Sequence, residues 1–202
     1  MDASALLRPG LLAGRVVALG GGSAFGPSLA ALGAVTAALP VTLDEDDASA
    51  HALGALRAHG SLDVLVHDLR PAFGSGGHDG MRAALDSAWV TVRAVANAAW
   101  VDAERDGRIA LVAPPPGSAD GVPGTGAPDP DAEAVRGAVE NMARTLSIEW
   151  SRYGIRTVAI TPGAQTTDGQ LAALAAYLAS PAGDYFSGAR LALGEVDSPS
   201  PA

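Results

Sequence analysis

Short apolar runs alternate with segments of helical period along this chain. Arg15–Leu19 is an apolar run with β-branched residues at its centre, stopped by Gly20-Gly21-Gly22, which predicts a buried strand and a glycine turn. A short helix over Pro27–Gly33 follows, then a strand within Val35–Thr42. Asp44–Asp47 is an acidic helix start, continued by Ala48–Ala58 with Leu53 and Leu56 as apolar anchors. Leu62–Val66 and Arg108–Val112 read as strands on either side of a long helix, Met81–Arg105. The Pro- and Gly-rich stretch Pro114–Pro130 is a loop. In Ala132–Tyr153, Val135, Val139, Met142, Leu146 and Trp150 recur at helical spacing, and Gly154 ends the helix. Ile155–Ile160 is a strand, Gln170–Leu178 a helix and Ala189–Leu193 a last strand, before a flexible tail at 195–202. Strands alternating with helices predict an α/β fold, a doubly wound parallel sheet of about six strands, and the glycine turn after the first makes it Rossmann-like.

Composition narrows the function. The chain has 202 residues, 48% of them hydrophobic, a length expected to form a single domain over 1–194. A net charge of −9 opposes contact with phosphate backbones, so no nucleic-acid partner is expected. There is no cysteine, which excludes disulfides, thiol catalysis and Cys-ligated metals. No apolar run approaches the ~20 residues of a membrane span, and a cytoplasmic protein is expected. All thirteen basic residues are arginines.

The order of these segments resembles the short-chain dehydrogenase/reductase family over most of the chain. The resemblance rests on the glycine turn, on Leu62-Asp63-Val64-Leu65-Val66, on Gly107-Arg108-Ile109, on Ala138-Val139-Glu140-Asn141-Met142, and on Thr161-Pro162-Gly163. It implies a Rossmann-like sheet, but Gly26–Asp63 is too short for two more strand–helix units at roughly 30 residues each. About one βα unit is therefore expected to be missing. In the family, a glycine pattern TGxxxGxG binds NAD(P), and here Gly20, Ser23, Phe25 and Gly26 fall on it as vestigial cofactor-binding positions. Ala24 replaces the middle glycine and Leu19 the Thr.

The resemblance also implies where chemistry would lie. The family's Asn-Asn-Ala-Gly segment is here His67-Asp68-Leu69-Arg70, which places a long cation in the cofactor groove. Its catalytic Ser falls on Pro114 or Ala113, and Ser118 lies a few residues on in the loop. Its Tyr falls on Ala132 and its Lys on Arg136. Arginine keeps a charge but is not a tunable proton relay. The family's Asn also has no counterpart, since Asn97 and Asn141, the only asparagines, sit unsuitably. No catalytic residue and no metal ligand are expected. The Pro-Gly turn survives with Thr167 five residues after Pro162, yet a helix at Gln170 leaves no room for the family's substrate lid.

Trp89, Trp100 and Trp150 fall on the two long helices, which in the family pair with those of a neighbouring subunit. The family's C-terminal assembly segment is retained in Leu178–Leu191. These features imply a catalytically inactive homologue, without cofactor, serving as a non-catalytic subunit. It would associate with an active family member, or with itself, through helices 81–105 and 132–153. An atypical NAD(P)-dependent oxidoreductase using His67 or Tyr177, and a nucleotide-sensing binding module, are the alternatives.

Overall fold

The computed structural model describes residues 6–22, 24–117 and 129–194. Ser23, Ser118 and the tail 195–202 lie outside the described residues.

Among the described residues, six parallel strands form one sheet: β1 (Val16–Gly20), β2 (Val35–Leu39), β3 (Val64–Asp68), β4 (Gly107–Val112), β5 (Ile155–Pro162) and β6 (Arg190–Leu193). Their spatial order is β2-β1-β3-β4-β5-β6. A full dinucleotide fold carries two strands outside its first; here only β2 lies outside β1. The chain reverses direction between β1 and β3, so the crevice at the carboxyl ends of these two strands is the topological switch point.

Each central strand has both faces buried, which is why these runs are continuously apolar and not alternating. Val16, Ala18, Leu65 and Leu111 meet a layer of three helices: α2 (Glu45–His59), α4 (Gly77–Ala96) and α5 (Pro130–Glu149). Val17, Leu19, Val66 and Ile160 face α1 (Gly26–Ala31) and α6 (Asp168–Ala179). A one-turn helix, α3 (Arg70–Phe73), follows β3.

Local chemistry sets the helix ends. Asp44 caps α2, accepting from the N–H groups of Asp46 and Asp47 at 2.9 and 3.0 Å. Thr167 and Gln170 form a reciprocal capping box at the start of α6.

Three expectations are corrected. The fully buried anchors of α2 are Ala48 and Ala52; Leu56 packs against the same core as expected, but Leu53 does not. Small side chains let α2 lie close to its neighbours and rotate Leu53 outward, where it is 40% exposed. The helix expected over 81–105 begins earlier, at Gly77, and from Asn97 to Val101 it widens into a π-helical turn. That turn carries Trp100 into the core, where it is fully buried and its indole N–H donates to the carbonyl of Leu62 at 2.7 Å. Trp100 is therefore a core residue and not part of an outward-facing surface. Gly107 answers it from β4, since a Cβ there would strike the indole ring.

Candidate functional site

The crevice at the switch point is built from the end of β1, the end of β3 and the glycine turn between β1 and α1. Two of its glycines, Gly20 and Gly21, are explained by packing within the chain. A Cβ on Gly20 would collide with the imidazole of His67, and one on Gly21, whose φ is +83°, with the carbonyl oxygen of Asp68. The turn therefore lies directly against the end of β3. Phe25 is fully buried in the core on the α1–α6 face, and α1, which starts at Gly26, is six residues long with no side-chain cap.

His67 is sealed beneath this turn. Its Nε2 lies 3.4 Å from the Ser87 hydroxyl, and its Nδ1 has no hydrogen-bond partner. Burial pushes its pKa down to about 4. An imidazole so placed is neutral near pH 7, but it is a weak base and reaches no solvent. Its expected use as a catalytic group in an oxidoreductase does not match this environment.

Arg70 closes the mouth of the crevice. Its Nε and Nη2 reach the two carboxylate oxygens of Asp68 at 2.9 and 2.8 Å, a bidentate pair. Its Nη1 reaches Asp168, in the first turn of α6, at 2.7 Å. The guanidinium also lies over the Phe25 ring, 5.3 Å from the centroid. Burial opposes the charge, but hydrogen bonding and attraction from Asp68 and Asp168 outweigh it and raise the pKa of Arg70. One side chain thus ties β3, the glycine turn and α6 together.

A second arginine fills the adjacent position. Arg136, on α5, is 7% exposed and donates through Nη1 to the carbonyls of Pro114 (3.1 Å) and Pro162 (2.7 Å). These carbonyls lie just after β4 and at the end of β5, so the guanidinium bridges two strand ends. Glu133, one turn earlier, lies 3.3 Å from its Nε. Ala132 and Ala113 are fully buried. The Pro-Gly turn after β5 is consumed in the same way. The Thr166 hydroxyl donates to Leu193 (2.6 Å) and accepts from the Gly163 N–H (2.9 Å), while Thr167 caps α6. Only Gly163–Thr167 separates β5 from α6, which leaves no room for a lid. Tyr177 is distant from these groups in role: it packs edge-on against Phe186, centroids 6.0 Å apart. Asn97 begins the π-helical turn, and Asn141 is exposed on α5.

This architecture has many counterparts among solved structures. A citronellol catabolism dehydrogenase from Pseudomonas aeruginosa superposes with a TM-score of 0.71 at 22% identity, over 93% of this chain and 96% of that one. A variant short-chain dehydrogenase/reductase from Serratia marcescens gives 0.69 at 24% identity, over 91% and 97%. A 3-ketoacyl-(acyl-carrier-protein) reductase from Brucella melitensis, solved with NADH, gives 0.68 at 22%, over 90% and 97%. The fold is that of the short-chain dehydrogenases and reductases. No family model matches the sequence, and no curated protein matches it.

A dinucleotide in this fold requires an open glycine turn and polar groups available at the strand ends. At those places, among the described residues, Arg70 spans the mouth from Phe25 to Asp168 and Arg136 donates to two strand-end carbonyls. Among the described residues, no group of three or more His, Asp or Glu could hold a metal ion, and no helix is long and apolar enough to cross a membrane. Sequence reasoning found Arg70 and Arg136 but missed their partners. Asp68, two residues before Arg70, was available as a signal; Asp168, 98 positions away, was not.

Proposed function

We propose that this chain is a non-catalytic short-chain dehydrogenase/reductase homologue that works as a subunit, associating with an active family member. The observation that carries this reading is the position of Arg136. The family resemblance assigns that position to the proton-relaying Lys, and here a buried guanidinium holds two strand-end carbonyls instead. A guanidinium so engaged serves the fold, and an arginine side chain does not relay protons as a lysine can. Ala132 and Pro114, at the Tyr and Ser positions, offer no hydroxyl.

The association surface in this reading is the outward side of α4 and α5. Ala134, Gly137, Asn141, Thr145 and Ile148 form an exposed, uncharged stripe along α5, with Ile148 74% exposed. On α4, Trp89 is 42% exposed, with the Arg93 guanidinium 5.4 Å from its ring centroid. Exposed Trp beside Arg is a composition enriched at interface centres. Co-expression with an active homologue encoded nearby, followed by affinity capture, tests the reading directly. A stable complex whose turnover depends on this chain is expected; the same turnover from this chain alone would overturn it.

A second reading, an atypical NAD(P)-dependent oxidoreductase, is favoured by one observation. Gly22 has a φ of +70° and no atom within 4 Å of where its Cβ would stand, so its backbone could be approached by a phosphate. Micromolar binding of NADH or NADPH would select that reading.

A further inference from the structure

The sheet has two edges, and they are treated differently. β6 carries Arg190, a charge of the kind that discourages edge pairing. β2, at the other edge, is Val35-Thr36-Ala37-Ala38-Leu39 and has no charged side chain. Among the described residues it pairs with β1 alone. The Val35 N–H donates to the carbonyl of Arg15, which fixes the phase of the ladder. Residues 35, 37 and 39 turn their backbone groups toward β1, and Thr36 and Ala38 turn theirs outward. Such an edge is a template for another strand.

We propose that two copies of this chain join edge to edge through β2, around a two-fold axis normal to the sheet at Ala37. The proposal is independent of the function proposed above. With Ala37 on the axis, Thr36 of each copy lies opposite Ala38 of the other. The outward N–H and C=O groups of both residues are then satisfied in hydrogen-bonded pairs, and the two Ala37 residues form the non-hydrogen-bonded pair between them. Nothing on β2 opposes this register, because its side chains are small or apolar.

The flanking helix fits the same symmetry. The operation places the two α2 helices antiparallel on one face of the extended sheet. The acidic first turn of one, Glu45-Asp46-Asp47, then approaches the last turn of the other, which carries Arg57 and His59. Between β2 and α2 lies an open cavity of about 330 Å³, bordered by Ala38, Pro40, Ala50, Gly54 and Ala58, whose small side chains permit close approach. His51 borders the same cavity with a buried Nδ1 that has no hydrogen-bond partner.

Two variants of the full chain test the arrangement. Ala38→Pro removes an outward N–H that β1 does not use, so the fold is retained in circular dichroism while the molar mass by light scattering is halved. Ala37→Cys places a single thiol on the axis in a chain without cysteine. At the ~4.5 Å Cα separation of a non-hydrogen-bonded pair, a disulfide is within reach. Mild oxidation should convert Ala37→Cys to a covalent dimer and leave a control, Ala31→Cys at the exposed end of α1, uncoupled. Should Ala38→Pro misfold, the cross-link decides alone. An unchanged mass for Ala38→Pro together with no cross-link for Ala37→Cys would overturn the proposal. So would a monomeric parent whose Thr36 and Ala38 amides resist hydrogen exchange, since another segment of the same chain would then cover the edge.

Discussion

The rim formed by the carboxyl ends of β3, β4 and β5 and the outward stripe of α5 are opposites in how they use polar groups. At the rim, Asp68, Asp168 and the carbonyls of Pro114 and Pro162 all receive hydrogen bonds from two arginines. Along α5, Gly137 faces open space and Ile148 is 74% exposed. A site that binds and turns over a ligand keeps its polar groups available until the ligand arrives. A surface that binds a partner keeps apolar area exposed until the partner arrives. Here the polar groups of the rim are engaged within the chain and the α5 stripe stays exposed, the contrast on which the proposed subunit role rests.

The largest expected break in that contrast is Arg136→Leu. It strips the donor from two buried carbonyls at once, and each unsatisfied group costs about 1–3 kcal/mol. Thermal or urea unfolding should therefore register a loss of about 3 kcal/mol, a fall in Tm of roughly 6–12 °C for a chain of this length. A loss below about 1 kcal/mol would mean that Arg136 is not the staple described.

His67 sharpens the picture of a rim built for packing. Its folded pKa, about 4, lies below the ordinary value of 6.5, so the unfolded chain takes up the proton first as pH falls. The parent should hold its full stability above pH 6.5 and lose on the order of 3 kcal/mol from this group as pH drops to about 4. His67→Leu should flatten that part of the profile. Identical pH profiles for parent and variant would show that His67 titrates normally and is not sealed.

Arg70→Ala removes the tie among β3, the glycine turn and α6. Asp168 is largely exposed, so solvent screens that pair. Asp68, however, is buried and would lose its bidentate partner, so the expected cost is about 2 kcal/mol, with faster hydrogen exchange at the start of α6 as a second readout. An unaltered exchange rate there would remove the clamp from the account.

Gly137→Glu on the open face should leave stability almost unchanged, because its Cβ meets nothing. Its effect should fall on association: a charge in the centre of the stripe weakens capture of the partner at least tenfold. Full capture by a folded Gly137→Glu protein would place the interface elsewhere.

Much of the fold is legible in the sequence. The continuous apolar strands and the glycine turn point to a doubly wound sheet. The acidic start of α2 at Asp44 follows from local rules; the capping box at Thr167 obeys the same rules, but sequence reasoning missed it, and α6 begins two residues before the expected Gln170. Two other features could not be read. The π-helical turn that buries Trp100 depends on one inserted residue per turn, which leaves no periodic signature in so short a stretch. The choice of Ala48 and Ala52 over Leu53 as the packed face of α2 depends on how near α4 approaches, a tertiary fact that leucine spacing does not report. Within the candidate site, the residues at strand ends followed from the alignment of motifs. The long-range pairing of Arg70 with Asp168 spans 98 positions and needed the fold.

The closed rim is tested most directly by calorimetric titration of the purified chain with NADH and NADPH. With Arg70 across the mouth and Arg136 on the strand-end carbonyls, the account predicts no binding tighter than the millimolar range, roughly −4 kcal/mol. Micromolar affinity for either dinucleotide, abolished on replacing Gly22 by a bulky residue, would contradict it and return the chain to the oxidoreductases.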